Sequence, residues 1–257
     1  MFLVDQFHKA RKSNLGAALT CFDRIDSTNM VADKIAREGA PEGTVILADS
    51  QSAGRGRNSR AWHSPPGLNL YFTLILRPAI SRLHYLPYLS GLSIVNALLE
   101  LGLTPDLKWP NDVLVQGKKI CGILIQTSIE ENRLQFALVG VGINVNVRAF
   151  PPDLEATATS VAECLGHLVS RELFFAGCLF ELERLYERMN DMCWSEVCDL
   201  IEAHSSFLRN CRVSIEQDGR ITNGVTAGLD SFGGLILQTE SGQQVFHAGE
   251  IQSCRRQ

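Results

Sequence analysis

The chain has 257 residues, 45% of them hydrophobic, and a formal net charge of −4. That is enough apolar material for one large core with a smaller unit beside it. The acidic balance argues against a dedicated DNA binder, which carries a basic domain, and no apolar run reaches the length of a membrane span. The eight cysteines lie between Cys21 and Cys254 with no C-x-x-C pair. A zinc site is therefore not expected, and inert thiols in a reducing cytoplasm are. The opening MFLVDQFHKARK lacks the apolar stretch of a secretory signal.

In chain order, residues 1–20 read as a short helix or arm and residues 19–25 as a strand. Ser27 stands as an N-cap ahead of TNMVADKIAREG, a helical run that Gly39 and Pro41 stop. Residues 44–48 read as a short buried strand. It leads into residues 51–67, QSAGRGRNSRAWHSPPG, whose glycines and prolines suit neither a helix nor a central strand. This loop fits a polyanion: glycines let backbone N–H groups approach, arginines offer forked donors, and Trp62 offers a flat face for a purine. Taken alone, it fits a solvated basic loop or an arginine-rich nucleic-acid arm equally well.

Residues 68–76 then alternate leucines and Phe72 with Asn69, Tyr71 and Thr73, a strand pattern. Pro87 opens a helix carrying Leu89, Leu92, Val95, Leu98 and Leu99 and ending near Gly102. Two strands, 111–115 and 120–129, flank a turn at Gln116-Gly117. Lys108, Asn111, Asp112 and Lys119 crowd this hairpin, where a turn and solvated lysines are the plainer reading. Residues 133–147 form a strand with Gly140 and Gly142 inside it, a mark of close approach by backbone or ligand. Ser160 with Glu163 reads as a capping box. A helix is expected over 171–189, with Leu173, Phe174, Leu179, Leu182 and Leu185 as its apolar positions, and another over 194–204. Four or five short strands after residue 207, the last of them VFHAGEIQS, suit a small barrel.

Together these segments resemble the biotin protein ligases. The matching pieces are Ser27-Thr28-Asn29, GRGRNSRAW with Gln51 ahead of it, KWPND at 108–112, GKKICGIL at 117–124, GVGIN at 140–144, and GLDSFGGLIL near the end. They run in the family order and cover most of the chain. The resemblance implies an α/β (α+β) fold: a mixed-sheet biotin/lipoate ligase-like catalytic domain over 1–206, then a small SH3-like β-barrel over 207–257. It implies a cytoplasmic ligase that activates biotin with ATP to biotinyl-5′-AMP. The biotinyl group then passes to one lysine of a biotin carboxyl carrier protein, that of acetyl-CoA carboxylase or a related carboxylase. No DNA or membrane partner is implied, while a homodimer through a sheet edge occurs among such proteins.

By the same resemblance, Lys119 and Arg57 are the catalytic residues. Ser27, Thr28, Asn29, Gln51, Arg55, Gly56, Arg57 and Lys119 bind biotin. Gly54, Arg57, Arg60, Trp62, Asn111 and Asn144 bind ATP or the adenylate, and Asp112 is a candidate for Mg²⁺ held with ATP. Two departures stand out. The family commonly has glycine where Ser59 stands and often a basic residue at Asn58. Only 26 residues precede Ser27, too few for the helix-turn-helix repressor domain of some members, so ligase activity without repression is expected. The nearest rival is a lipoate or octanoyl ligase of the same core fold. A nucleic-acid module using Arg55, Arg57 and Arg60 is the rival from another class.

Overall fold

The computed structural model describes residues 2–256. Seven strands make the larger sheet: β1 (Leu19–Phe22), β2 (Val45–Ala48), β3 (Leu70–Leu76), β4 (Pro105–Lys108), β5 (Asp112–Val115), β6 (Lys118–Glu130) and β7 (Arg133–Ile143). Their order is β1-β2-β3-β7-β6-β5-β4. Only β1 and β2 run parallel; the other neighbours are antiparallel, so the sheet is mixed. The helices are α1 (Val4–Ala10), α2 (Thr28–Arg37), α3 (Leu86–Leu99), α4 (Val161–Leu165), α5 (Arg171–Arg188) and α6 (Trp194–Ala203). A second, antiparallel sheet follows, with β8 (Arg209–Gln217), β9 (Arg220–Leu229), β10 (Leu235–Thr239), β11 (Gly242–Phe246) and β12 (Glu250–Arg256) in the order β11-β10-β9-β8-β12. This is the expected ligase-like α/β domain with its small C-terminal β unit. Among the described residues no helix is long and apolar enough to cross a membrane.

The leucines of β3 face a core built from α3 and α5, with Phe7 of α1 stacked on Phe175 of α5. On the opposite face Ile46, Ile75, Phe136 and Leu138 meet Ala32 and Ala36 of α2. Small alanines let that helix lie close over the sheet. With both faces covered, Tyr71 and Thr73 are as buried as the leucines of β3. Each such fully buried large apolar side chain contributes about 1.5–3 kcal/mol.

Several local expectations shift. The first strand ends at Phe22 and continues only as a single bridge from Ile25 to Gln51. Strand β4, Pro105–Lys108, alternates in burial but is only four residues long and begins with proline, too short a run to be read from periodicity. The capping box is half formed: Ser160 Oγ accepts from Glu163 N, but the Glu163 carboxylate accepts from Thr159 Oγ1 instead. Leu173 is exposed although Arg171, Glu172 and Phe174 of the same turn are buried, so it is the one apolar position named for this helix that lies outside the core. VFHAGEIQS splits into the end of β11 and the start of β12, with Gly249 turning the chain at φ 135°. Six of the cysteines are free thiols, and burial pushes Cys21 and Cys198 up to about 11. Cys211 departs from the inert-thiol reading, being disulfide-bonded.

Candidate active site

A cavity of about 530 Å³ opens between the N-terminus of α2, the 51–67 loop, strands β5 to β7 and the start of β12. Every expected site residue lines it except Gly54. Gly54 acts inside the loop instead: its carbonyl accepts from Trp62 N at 2.9 Å, and a Cβ there would lie 2.9 Å from Ser64 Oγ.

One end of the cavity is polar and tightly wired. Ser27 is the extended N-cap of α2, yet its side chain makes no capping hydrogen bond, so plain capping does not account for it. Gln51 Oε1 accepts from Thr28 N at 2.9 Å, while Gln51 Nε2 reaches Ser64 Oγ at 3.3 Å. Asn29 Nδ2 donates to Gln126 Oε1 at 2.7 Å. Gly140 is required beside this amide, because a Cβ there would stand 2.3 Å from Asn29 Oδ1.

The loop itself is more ordered than its composition suggests. Arg55 bridges Ala61, and Gly56 N donates to Arg60 O at 2.8 Å, which makes a small hairpin around a turn at Arg57–Ser59. The left-handed position of that turn falls on Asn58, at φ 52°. Asparagine tolerates this conformation better than most residues, which explains how the turn forms without a glycine there.

Gly122 and Gly142 are register partners on β6 and β7, and together they form a flat shelf under the Trp62 indole. A Cβ on Gly142 would lie 2.4 Å from Trp62 Cε2, and one on Gly122 would lie 2.9 Å from Trp62 Cζ3. Among the described residues no hydrogen-bond partner meets the buried Trp62 Nε1. Lys119 Nζ sits 5.3 Å from the ring centroid and 2.7 Å from Asp112 Oδ1.

Positive charge converges on the same space. Arg57 is half-buried, its Nη1 3.4 Å from Asn111 Oδ1 and 3.2 Å from the Gly249 carbonyl. Burial pulls its pKa down, and the Asp112 and Glu250 charges oppose that pull. Arg60 is exposed and ion-paired with Glu250 at 2.6 Å. The Arg60 hydrogen bond, with Lys108 and Lys119 adding charge, holds the Glu250 carboxyl below the usual carboxylate range. Asn144 is buried, with Nδ2 donating to the Thr159 carbonyl at 3.1 Å, which uses one of its two amide protons. Among the described residues no group of three or more His, Cys, Asp or Glu is placed to hold a metal ion.

Two parts of the wall were not anticipated. Gly249, Glu250 and Ile251 reach the cavity from the C-terminal sheet, which only the docking of the two sheets reveals. Residues 154–158 close another side: Lys119 N donates to Thr157 O at 2.7 Å, and Thr159 N donates back to Lys119 O at 3.0 Å. The Pro151-Pro152 start of that segment marks a loop but gives no hint of where it packs.

Residues 21–144 match the Biotin/lipoate A/B protein ligase family, and residues 210–252 match the Biotin protein ligase C terminal domain. The Bifunctional ligase/repressor BirA of Bacillus subtilis is 34% identical over 247 residues, covering 93% of this chain and 74% of that protein. The Biotin--[acetyl-CoA-carboxylase] ligase of Paracoccus denitrificans is 34% identical over 239 residues, covering 89% of this chain and 97% of that protein. The biotin protein ligase of Aquifex aeolicus, solved in complex with biotin and ATP, is similar with a TM-score of 0.78 and 30% identity, covering 94% of this chain and all of that one. With a ligase family match at each end and such relatives along nearly its whole length, the chain belongs to the biotin protein ligase family.

Proposed function

We propose that the protein activates biotin with ATP and transfers it to a lysine of a biotin carboxyl carrier domain of acetyl-CoA carboxylase or a related carboxylase. The observation that carries this is one cavity holding a wired polar end at Thr28, Asn29 and Gln51 and a cationic end at Arg57 and Lys119. A ureido ring with one carbonyl and two N–H groups suits the first, and a carboxylate meeting a triphosphate suits the second. In the first step a biotin carboxylate oxygen attacks the α-phosphorus and pyrophosphate leaves. In the second, the carrier lysine amine attacks the acyl carbon and AMP leaves.

Lys119 is placed to lie between carboxylate and α-phosphate, offsetting two groups that repel each other and favouring the more negative transition state. That requires Nζ to loosen its pair with Asp112 as the anions arrive. Arg57 holds phosphate oxygens, and Arg60 does so once Glu250 releases it. The backbone of Arg55 and Gly56 closes over biotin, while Ser27 adds a hydroxyl. Trp62 packs on adenine, with Asn111 and Asn144 at the nucleotide edge. Asp112, the carboxylate beside Lys119, with the triphosphate fits Mg²⁺, which takes one or two carboxylates, substrate phosphates and water. Bound with ATP, that ion would offset part of the triphosphate charge.

The same reading takes the protein as cytoplasmic, with no DNA or membrane partner and with a homodimer as the candidate assembly. Its division into a 1–206 catalytic domain and a 207–257 β domain falls between α6 and β8. Sedimentation of the pure protein tests the dimer. Thermal shift separates the lipoate rival: biotin should raise the melting temperature and lipoate should not.

Trp62→Ala is expected to weaken ATP binding roughly 10- to 100-fold, the range for loss of one aromatic–base stack. Biotin binding should change far less. Calorimetry with each ligand separately decides it, and equal losses would make Trp62 a packing residue only.

A further inference from the structure

Thr73 lies behind the polar end of the cavity without lining it. It is wholly buried in β3, between Ile46 of β2 and Gly140 of β7. Its Oγ1 is 2.8 Å from Thr28 Oγ1 and 2.5 Å from Asn29 Oδ1. Both of those partners do line the cavity.

A hydroxyl has one proton and two acceptor lone pairs, and an amide oxygen only accepts. Asn29 is oriented by its Nδ2 donation to Gln126, so Oδ1 is the atom turned to Thr73. The single Thr73 proton therefore goes to Asn29 Oδ1. Toward Thr28, Thr73 is left as an acceptor, and the Thr28 hydroxyl proton points inward at it. Gln51 Oε1 is already taken by Thr28 N at 2.9 Å and lies farther from Thr28 Oγ1, at 3.3 Å. Toward the cavity, Thr28 Oγ1 then shows lone pairs and no proton.

We propose that Thr73 is a specificity-determining positioning residue: it fixes the proton direction of the Thr28–Asn29 network so that the cavity end accepts hydrogen bonds from ring N–H donors. This rests on the biotin reading above and adds to it what makes the pocket selective. The cyclic urea of biotin supplies two N–H donors. A dithiolane ring supplies none and would leave a buried acceptor unpaired, which is costly. Gly140 belongs to the same device, since only a residue without Cβ opposite Thr73 leaves room for the Asn29 amide.

The test compares Thr73→Val, which keeps shape and strand preference but removes the hydroxyl, with Thr73→Ser, which keeps it. Calorimetry measures biotin and the two cyclic carbamates in which one or the other ring N–H is replaced by oxygen. For T73V the biotin Kd should rise roughly 10- to 100-fold, the loss expected of an oriented buried hydrogen bond. Preference for biotin over at least one carbamate should shrink, and kcat at saturating biotin should stay near that of the parent. T73S should lie within a few-fold of the parent throughout. Where Val does not fold, Thr73→Cys, similar in volume and a weak donor, replaces it in the comparison. Unchanged biotin affinity in T73V overturns the proposal, as does a T73S loss equal to that of T73V, or an equal loss for biotin and both carbamates. A parent protein that binds no biotin at all would overturn the ligase reading itself, and this inference with it.

Discussion

Replacing Lys119 with alanine is expected to lower biotin-dependent pyrophosphate exchange by about 100- to 1000-fold, the usual effect of removing one group aimed at developing charge. Biotin binding should weaken but stay measurable. Lys119 is the second residue of β6, fixed by backbone hydrogen bonds to residues 157 and 159 and by its pair with Asp112. Its ammonium thus faces the cavity before any substrate arrives. No covalent nucleophile is needed, so electrostatics and positioning carry the chemistry. Exchange measures the adenylation step without the carrier. A rate in Lys119→Ala equal to that of the parent would remove Lys119 from the mechanism.

The second large effect is expected at Gly142. Gly142→Val should cut nucleotide affinity in the presence of biotin by roughly 100-fold, as the indole loses its seat and the stacking face moves with it. The valine Cβ would lie 2.4 Å from Trp62 Cε2, and its methyl groups would reach further into the cavity. Valine suits a strand, so β7 itself should hold and the melting temperature should shift only slightly. The polar end lies two residues along, opposite Gly140, and biotin affinity should fall much less. Calorimetry of ATP with biotin present reads the outcome. Parent-like ATP affinity would show that the shelf is not part of the nucleotide site.

Much of this arrangement was legible in the residues. The glycines of GVGIN and GKKICGIL interrupt strands where glycine weakens pairing, and the structure shows why: Gly122 and Gly142 carry Trp62, and Gly140 carries Asn29. The strand–loop–strand order that delivers the arginine loop to one end of the sheet also follows from the alternation of residues 68–76. What could not be read depends on contacts distant in sequence. Glu250 reads as one acid in a short strand until the C-terminal sheet sets it against Arg60. Strand β4 is four residues beginning with proline, below what periodicity can detect. Thr73 sits at a position that alternation calls polar and outward, and α2 turns it into a buried hydroxyl. Asn58 takes the left-handed position of its turn, at φ 52°, which nothing in the loop's composition assigns to it rather than to a neighbour.

The central claim is biotin transfer driven by ATP, and mass spectrometry of a carrier domain measures it most directly. The carrier is incubated with this protein, ATP, Mg²⁺ and biotin, and each component is omitted in turn. The carrier should gain the mass of one biotinyl group, on one lysine, only when all are present. A carrier left unmodified by the complete mixture, or one that gains a lipoyl group in preference when both acids are offered, would contradict it.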